Sequence, residues 1–347
     1  MTIFYMKPSV KKYVRSALLR FGLLRLRQWV RSPSLAVLYY HSVAADRNKQ
    51  MYAVSAGITI EDTDFEKHLQ IISNEYHPIT LDDAAAWLAN ERNLPPRSIA
   101  VTFDDGFADN YHIAAPLLEK YGMRGTFYLA VDAVCRQELP WYCRLHHLFY
   151  QITKKESKNE SVILDDIEAK QSWNLSNPGE RIAAEQFYAR QCVVLDGETL
   201  RRHVEKIESL FNYRLDLTSS PKMMTIEQGK ELQQRGHIIG SHTFSHGISG
   251  LLTQEQLHRE ITAANDILEK ELGTAVEHFS YPHPYQINPQ WSEASLAETR
   301  KLKYKTAVLT QRGVVTKTSM PLLLPRVRVQ NAPEEFRWTL ERAFAGI

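Results

Sequence analysis

Short apolar segments alternate with segments of helical spacing along most of this chain after residue 35. The predicted strands cover residues 36–40, 98–103, 125–130, 237–240, 276–281, 304–309 and 322–329. The predicted helices cover residues 62–74, 81–90, 110–121, 225–235, 253–272 and 293–302, with a C-terminal helix over 331–347. Because parallel strands need such crossover helices, this order predicts an α/β fold. The functional residues are expected at the C-terminal ends of the strands, as in a parallel barrel.

Two adjacent carboxylates follow the predicted strand over 98–103, in the segment Thr102-Phe103-Asp104-Asp105-Gly106. Neighbouring carboxylates repel each other and are costly to bury. A metal ion, a cationic partner or an acid–base role would each explain why they stand there. A plain turn or helix cap at Asp-Asp-Gly is the alternative interpretation.

Two imidazoles, His242 and His246, follow the predicted strand over 237–240. Their spacing alone carries little weight in a chain with 13 His. If a helical turn begins there, both rings lie on one face, and with one carboxylate they supply three of the four ligands of a zinc-type site. Asp105 is then the predicted carboxylate ligand, which leaves Asp104 to take a proton from the fourth ligand, water. One metal ion explains both Asp and both His residues.

Together the two segments resemble the polysaccharide deacetylases of carbohydrate esterase family four, which remove acetyl groups from N-acetylated sugars. Residues 102–106 match the first motif, Thr-Phe-Asp-Asp-Gly, at every position, and residues 242–246 match the second, His-Ser/Thr-x-x-His. The resemblance covers roughly residues 35–330. It implies a distorted (β/α)7 barrel, with Asp104 as catalytic base and with Asp105 and both His residues as metal ligands.

The third motif of the family departs from its commonest form in this chain. Ser280 occupies the place where an Arg often holds the base carboxylate. Arg326, in the run Leu322-Leu323-Leu324-Pro325-Arg326-Val327, resembles the Leu-Pro-Arg segment of members that lack that Arg, and is the predicted substitute. A surface-exposed strand Arg is the alternative. The backbone N–H of His283 is expected to donate to the oxyanion, a role that needs no particular side chain.

The family also needs a His to protonate the leaving amine, normally in a Leu-x-His segment late in the chain. No such segment follows residue 310, whereas Val37-Leu38-Tyr39-Tyr40-His41 ends in His near the start. This resembles the subgroup in which the domain is circularly permuted, and it makes His41 the predicted acid. An ordinary His at the end of a strand is the alternative.

The first 45 residues contain eight Lys and Arg and no acidic residue, in a chain whose net charge is only +2. The apolar runs within residues 1–34 are too short, and the segment carries too many charges, for a membrane span or a signal-peptide core. They are predicted to form a basic amphipathic helix on an anionic membrane surface, or a helix packed on the domain. We therefore expect a cytoplasmic protein, peripheral on the inner face of the cell membrane, without a nucleic-acid partner.

Residues 134–222 interrupt the alternation and are predicted to be a mostly helical insertion in the barrel domain over 35–330. The insertion leaves from the catalytic face, so it is expected to form a lid or a wall of the substrate groove. Trp141 and Tyr142 are interpreted either as platforms for sugar rings or as core residues. The three Cys indicate neither a disulfide framework nor a cysteine metal site.

The predicted function is a hydrolase that depends on a divalent metal, taken to be Zn²⁺. It would remove N-acetyl groups from N-acetylhexosamine residues of a glycan or a lipid-linked saccharide. Two alternatives stay open at this point. One is a metal-dependent hydrolase of small amides or imides on the same barrel, and the other is a glycan-binding relative without activity.

Overall fold

The computed structural model describes residues 15, 24, 33–46, 54–55, 57–156, 163–166, 168–211 and 222–347. In chain order the strands are β1 (Ser34–Tyr40), β2 (Ser42–Ala44), β3 (Thr59–Glu61), β4 (His77–Ile79), β5 (Ser98–Phe103), β6 (Gly125–Leu129), β7 (Ile163–Asp166), β8 (Gln171–Asn174), β9 (Ile238–Ser241), β10 (His278–Ser280), β11 (Thr306–Arg312), β12 (Val315–Thr316) and β13 (Leu324–Arg328).

The helices lie between these strands and after them. They are α1 (Asp62–Glu75), α2 (Leu81–Leu88), α3 (Asn110–Ala114 and Ala115–Lys120), α4 (Val131–Arg136), α5 (Trp141–Glu156), α6 (Pro178–Cys192), α7 (Gly197–Leu210), α8 (Ile226–Gln234), α9 (Gln254–Leu257, His258–Ala263 and Ala264–Leu272), α10 (Glu293–Lys301) and α11 (Pro333–Ala345). The first part of α3 and the middle part of α9 are π-helical.

Seven parallel strands close into a barrel in the order β1, β5, β6, β9, β10, β11 and β13, and β13 pairs with β1 again. The closing register places Leu38 beside Val327, while β1 and β5 pair along their length from Leu35–Ser98 to Tyr40–Phe103. The strands are buried because helices cover the outside and side chains fill the inside. The predicted (β/α)7 barrel is therefore confirmed.

The insertion packs around a hydrophobic core of its own. Helices α5, α6 and α7 and the hairpin β7–β8 bury Trp141, Leu148, Trp173, Tyr188 and Val204, among others. Trp141 is 5% exposed, so its surroundings agree with the core interpretation. The insertion is mostly helical within its described residues, and the short hairpin was not predicted.

A buried His joins the C-terminal helix to the barrel. His68 on α1 stacks on Phe336 of α11 with ring centroids 3.9 Å apart. The Tyr40 hydroxyl donates to its Nδ1 over 3.1 Å, and its Nε2–H donates to the carbonyl oxygen of Asn331 over 3.0 Å. Burial lowers the pKa of His68 to about 4, so the ring stays neutral in the folded protein.

The predicted N-terminal helix over 1–34 lies almost wholly outside the described residues. Within that range, Nη1 of Arg15 lies 2.6 Å from Oε1 of Glu335 on α11, and its guanidinium lies 5.1 Å from the centre of the Trp338 ring. Among the helices of the described ranges, none has the length and apolar character that crossing a bilayer would require.

Candidate active site

The two carboxylates of the first motif lie in a tight turn at the C-terminal end of β5. Asp104 donates its backbone N–H to the Tyr40 carbonyl, and the chain then turns with positive φ at Asp105 (77°) and Gly106 (84°). A Cβ on Gly106 would lie 2.8 Å from a Leu129 methyl group, so both its conformation and its surroundings favour glycine. A non-glycine residue at positive φ typically costs about 1–3 kcal/mol and often marks a functional site.

The second motif is an irregular loop, so the helical turn predicted to bring its two His side chains together is wrong. Thr243 and His246 have φ of 63° and 61°, which a right-handed helix excludes. Long-range backbone bonds hold the loop instead: the His242 N–H donates to Leu129, and the Phe244 N–H donates to Glu260. These contacts outweigh the local preference for a helical turn.

A buried triad of one carboxylate and two imidazoles forms where the two motifs meet. Oδ1 of Asp105 lies 3.5 Å from Nε2 of His242 and 3.2 Å from Nε2 of His246. One ligand atom from each residue falls within 4.8 Å of the others. Ligands at Zn–N and Zn–O distances of about 2.0–2.2 Å in a tetrahedron are separated by about 3.4 Å, so the spacing suits such an ion.

The unpaired polar atoms of the triad are a second sign that it fits a metal. Both carboxylate oxygens of Asp105 are buried without a hydrogen bond to any described residue. His242 donates Nδ1–H to the carbonyl oxygen of Ser280 over 2.7 Å, which leaves the lone pair of its Nε2 directed toward Asp105. A buried carboxylate without partners is costly, and a cation between it and the two imidazoles would remove that cost.

A buried Glu that the sequence analysis missed holds the His loop. Glu260 on α9 is fully buried, and its side chain accepts hydrogen bonds from the backbone N–H and the hydroxyl of Ser245. The sequence does contain a signal, because Glu260 lies on the apolar face of its helix with Leu257 and Ala264. A charged residue at such a position indicates a buried polar partner.

Beside the triad, Asp104 forms a bidentate salt bridge with Arg326 from β13. The guanidinium donates to Oδ1 over 2.8 Å and to Oδ2 over 2.7 Å, and both side chains are almost fully buried. Arg326 also donates to the Leu309 carbonyl and lies 4.5 Å from the centre of the Tyr39 ring. The Ser280 hydroxyl adds a 3.2 Å bond to Asp104. Arg326 is therefore not a surface residue.

Burial and charge act in opposite directions on the two carboxylates. Burial alone would raise the pKa of Asp104, but the charge of Arg326 and its hydrogen bonds outweigh it and hold that pKa below its usual range. Burial likewise opposes ionisation of Asp105, yet the rings of its two imidazole neighbours, when protonated, hold its pKa well below the usual range. Both groups are therefore carboxylates at neutral pH. The Asp104 carboxylate is therefore ionised and held in a fixed orientation, as a general base must be.

His41 lies at the same mouth of the barrel, directly after β1. Its Nε2 is 4.0 Å from Oδ2 of Asp104, and its side chain is 18% exposed. Burial lowers the pKa of its ring, although both carboxylates act in the opposite direction. Its ring makes no hydrogen bond to a residue of the described ranges, whereas a catalytic imidazole often has its second nitrogen held by a carboxylate or a carbonyl oxygen. The neighbouring Tyr39 ring contacts it edge-on at 5.8 Å.

His283 lies at the rim of the site, after β10. Its Nδ1 is 2.6 Å from the hydroxyl of Thr310, and its Nε2 is buried without a partner among the described residues. Burial lowers the pKa of the ring. The role predicted for His283 belongs to its backbone N–H and not to this side chain.

A cavity of about 860 Å³ opens over the triad and is lined by every predicted site residue except the buried Arg326. Its floor contains His41, Asp104, Asp105, His242 and His246, and His283 lies in its wall. The insertion supplies part of another wall with Tyr142, His146 and Glu185, while Tyr285 and Trp291 add aromatic rings. Tyr142 places its ring 4.7 Å from that of His246, and its hydroxyl is buried without a hydrogen-bond partner among described residues.

Comparison with known proteins assigns the family. The family model described as polysaccharide deacetylase matches residues 91–160 and 200–307, which together make up about half of the chain. The chain belongs to the polysaccharide deacetylase family. The protein YxkH of Bacillus subtilis (strain 168) is similar over 215 residues at 22% identity, which covers 58% of this chain and 71% of that protein.

Two solved structures share the fold of this polysaccharide deacetylase. The Streptococcus pyogenes deacetylase PplD, in complex with acetate, has a TM-score of 0.58 at 17% identity and covers 89% of this chain and 99% of its own. IcaB from Ammonifex degensii has a TM-score of 0.55 at 17% identity, with coverage of 89% and 98%. At this identity the likeness concerns the fold alone. The circular permutation suggested by the position of His41 stays a prediction.

Proposed function

We propose that this polysaccharide deacetylase is a metal-dependent hydrolase that removes N-acetyl groups from N-acetylhexosamine residues. One observation carries the proposal: the buried triad of Asp105, His242 and His246 faces a large cavity beside the anionic Asp104. Family membership supports deacetylation, and the cavity has the size and aromatic walls that a saccharide requires.

The ligand set of one carboxylate and two imidazoles suits Zn²⁺, which when bound would polarise the acetamide carbonyl and make water more acidic. Asp104 would accept the proton of the attacking water, because Arg326 keeps its carboxylate ionised and fixes its orientation. His41 would donate a proton to the departing amine, and the backbone N–H of His283 would donate to the developing oxyanion. Acetate and the free amino sugar are the products.

The test is acetate release from N-acetylated chitooligosaccharides by the full chain, with and without a chelator. Activity that is lost with the chelator and restored by Zn²⁺ is the expected result. His246→Ala should lose the metal while remaining folded, and Asp104→Asn should keep the metal and lose activity, since an amide cannot take the proton. If the protein hydrolyses small amides but not the oligosaccharides, the substrate class is small amides and not glycans. If it binds glycans without releasing acetate, the proposed deacetylase activity is refuted.

The substrate is proposed to be part of a glycan or a lipid-linked saccharide, presented to a peripheral protein at the inner face of the cell membrane. The support is the basic character of residues 1–34. The contact of Arg15 with Glu335 favours the other interpretation, a helix packed on the domain. Sedimentation with anionic vesicles that is lost at high salt, and lost when residues 1–34 are deleted, would support membrane binding. If the protein does not sediment with the vesicles, the interpretation as a helix packed on the domain is favoured.

A further inference from the structure

Two arginines that the proposed mechanism does not use lie at the rim of the cavity. Arg312 ends β11 and Arg328 ends β13, and both line the cavity. The strand register pairs Arg312 with Arg326, and Arg328 follows Arg326 by two residues. Paired residues and residues two apart share one face of a sheet, so all three side chains lie on the same face, and those of Arg312 and Arg328 reach the cavity.

The Tyr39 ring marks where these cations converge. Tyr39 pairs with Arg328 across β1 and β13, and the guanidinium of Arg326 lies against its ring. Burial raises the pKa of the Tyr39 hydroxyl, and the charges of all three arginines act against that rise. The positive charge is thus concentrated on the side of the cavity formed by β1, β13 and β11.

The carboxylates of the cavity do not neutralise this charge. Asp104 is paired with Arg326, and Asp105 belongs to the triad. Glu185 lies on the insertion wall, where it accepts a hydrogen bond from the Tyr285 hydroxyl. Across the described ranges, Arg312 and Arg328 form no ion pair with a carboxylate. Among the described residues, the Arg328 guanidinium donates a long hydrogen bond of 3.5 Å to the Gly57 carbonyl oxygen.

We propose that Arg312 and Arg328 form an anion subsite that binds a negatively charged group on the saccharide next to the N-acetylated sugar. The group is an oxyanion, either a phosphate that joins the sugar to a carrier or the carboxylate of a uronic acid. The subsite rests on the proposed deacetylase function and narrows its substrate class from N-acetylated glycans to anionic ones.

The chemistry of the guanidinium group supports this assignment. Its planar fork matches two oxygens of a phosphate or carboxylate, and it remains charged at every working pH. Arg326 is paired with Asp104, whereas the guanidinium groups of Arg312 and Arg328 form no ion pair within the described ranges and can donate to a ligand in the cavity. They hold the substrate and touch no reacting atom, so they are specificity residues, and each should act mainly on KM.

The experiment compares three substrates with the full chain: the neutral, fully N-acetylated chitotriose, a phosphodiester of N-acetylglucosamine, and N-acetylglucosamine linked to glucuronate. The wild type should prefer at least one anionic substrate, and the one it prefers identifies the source of the charge. Arg312→Gln and Arg328→Gln should each lower kcat/KM for that substrate by about tenfold or more, through KM, since charge-assisted contacts have that magnitude. The loss for chitotriose should be at least tenfold smaller.

A matched control removes the same charge outside the cavity. Arg92→Gln with Arg337→Gln breaks exposed pairs with Asp83 and Glu75, and it should leave the substrate preference unchanged. Equal use of neutral and anionic substrates by the wild type, or a preference that survives in Arg312→Gln/Arg328→Gln, would overturn the subsite.

A binding measurement separates this outcome from failure of the proposed function. Inorganic phosphate is titrated calorimetrically into the wild type and into Arg312→Gln/Arg328→Gln, after their metal content has been matched. Phosphate bound at the metal then contributes equally to both, and the subsite predicts weaker binding in the variant by about tenfold or more. Equal affinity contradicts the subsite, whether or not any acetate is released.

Discussion

Replacement of Arg326 by Met tests how the buried pair with Asp104 contributes to stability. The change removes the guanidinium and its two bonds of 2.8 and 2.7 Å, and leaves a carboxylate that is 2% exposed without its cation. Breaking one side of a buried pair typically costs about 3–5 kcal/mol, because an uncompensated charge remains. Domains are stable by about 5–15 kcal/mol, so Arg326→Met should fold but unfold at much lower denaturant.

Asp104 should also become harder to ionise in this variant, since burial then acts on its pKa without the opposing charge. The acid limb of kcat/KM should therefore move to higher pH. Arg326→Lys keeps the charge but lacks the fork, so its stability should lie between those of the wild type and Arg326→Met.

Denaturant unfolding of a double-mutant cycle measures the coupling between the two residues. Asp104→Leu/Arg326→Met removes both charges, and it should be destabilised by at least about 2 kcal/mol less than the sum of the two single variants. The metal content of each protein is recorded alongside, because the triad is adjacent. Additive costs in the cycle, together with an unmoved acid limb, would refute the reasoning.

Three further outcomes are expected. His41→Ala should lower turnover by about 10²–10⁴-fold with unchanged metal content, and the defect should shrink for esters with good leaving groups; retained amidase activity would exclude His41 as the acid. Glu260→Gln should weaken metal affinity by about 10–100-fold in a chelator competition, as supports of ligand loops do, and an unchanged affinity would contradict its role. Stability should fall by up to about 3 kcal/mol between pH 6.5 and 4, because the unfolded chain protonates His68 near its ordinary pKa while the fold holds that pKa at about 4. Denaturant unfolding across this pH range should give a flatter dependence for His68→Gln, and identical curves would contradict the assignment.

Local structure could be predicted from the sequence because it depends on short-range patterns. The strand over 98–103 has the same bounds in the structure, since a run of apolar and β-branched residues suits a position buried on both faces. At the start of α9, Thr253 and Gln256 form the capping box that their spacing predicts. The first motif likewise places its carboxylates at the end of a strand. The three-residue strand β4 was missed because its sequence, His-Pro-Ile, has no strand period.

Residues far apart in the chain meet only through the closed barrel. Arg326 follows Asp104 by 222 residues, and the order of strands around the barrel brings the two together. The His loop shows the same dependence, because Glu260 and backbone partners from other segments hold His242 and His246 in a conformation that their spacing did not predict. The types of the site residues could therefore be identified from the sequence. Their meeting at one mouth of the barrel was decided by the tertiary structure, because strand order and register depend on contacts between distant segments.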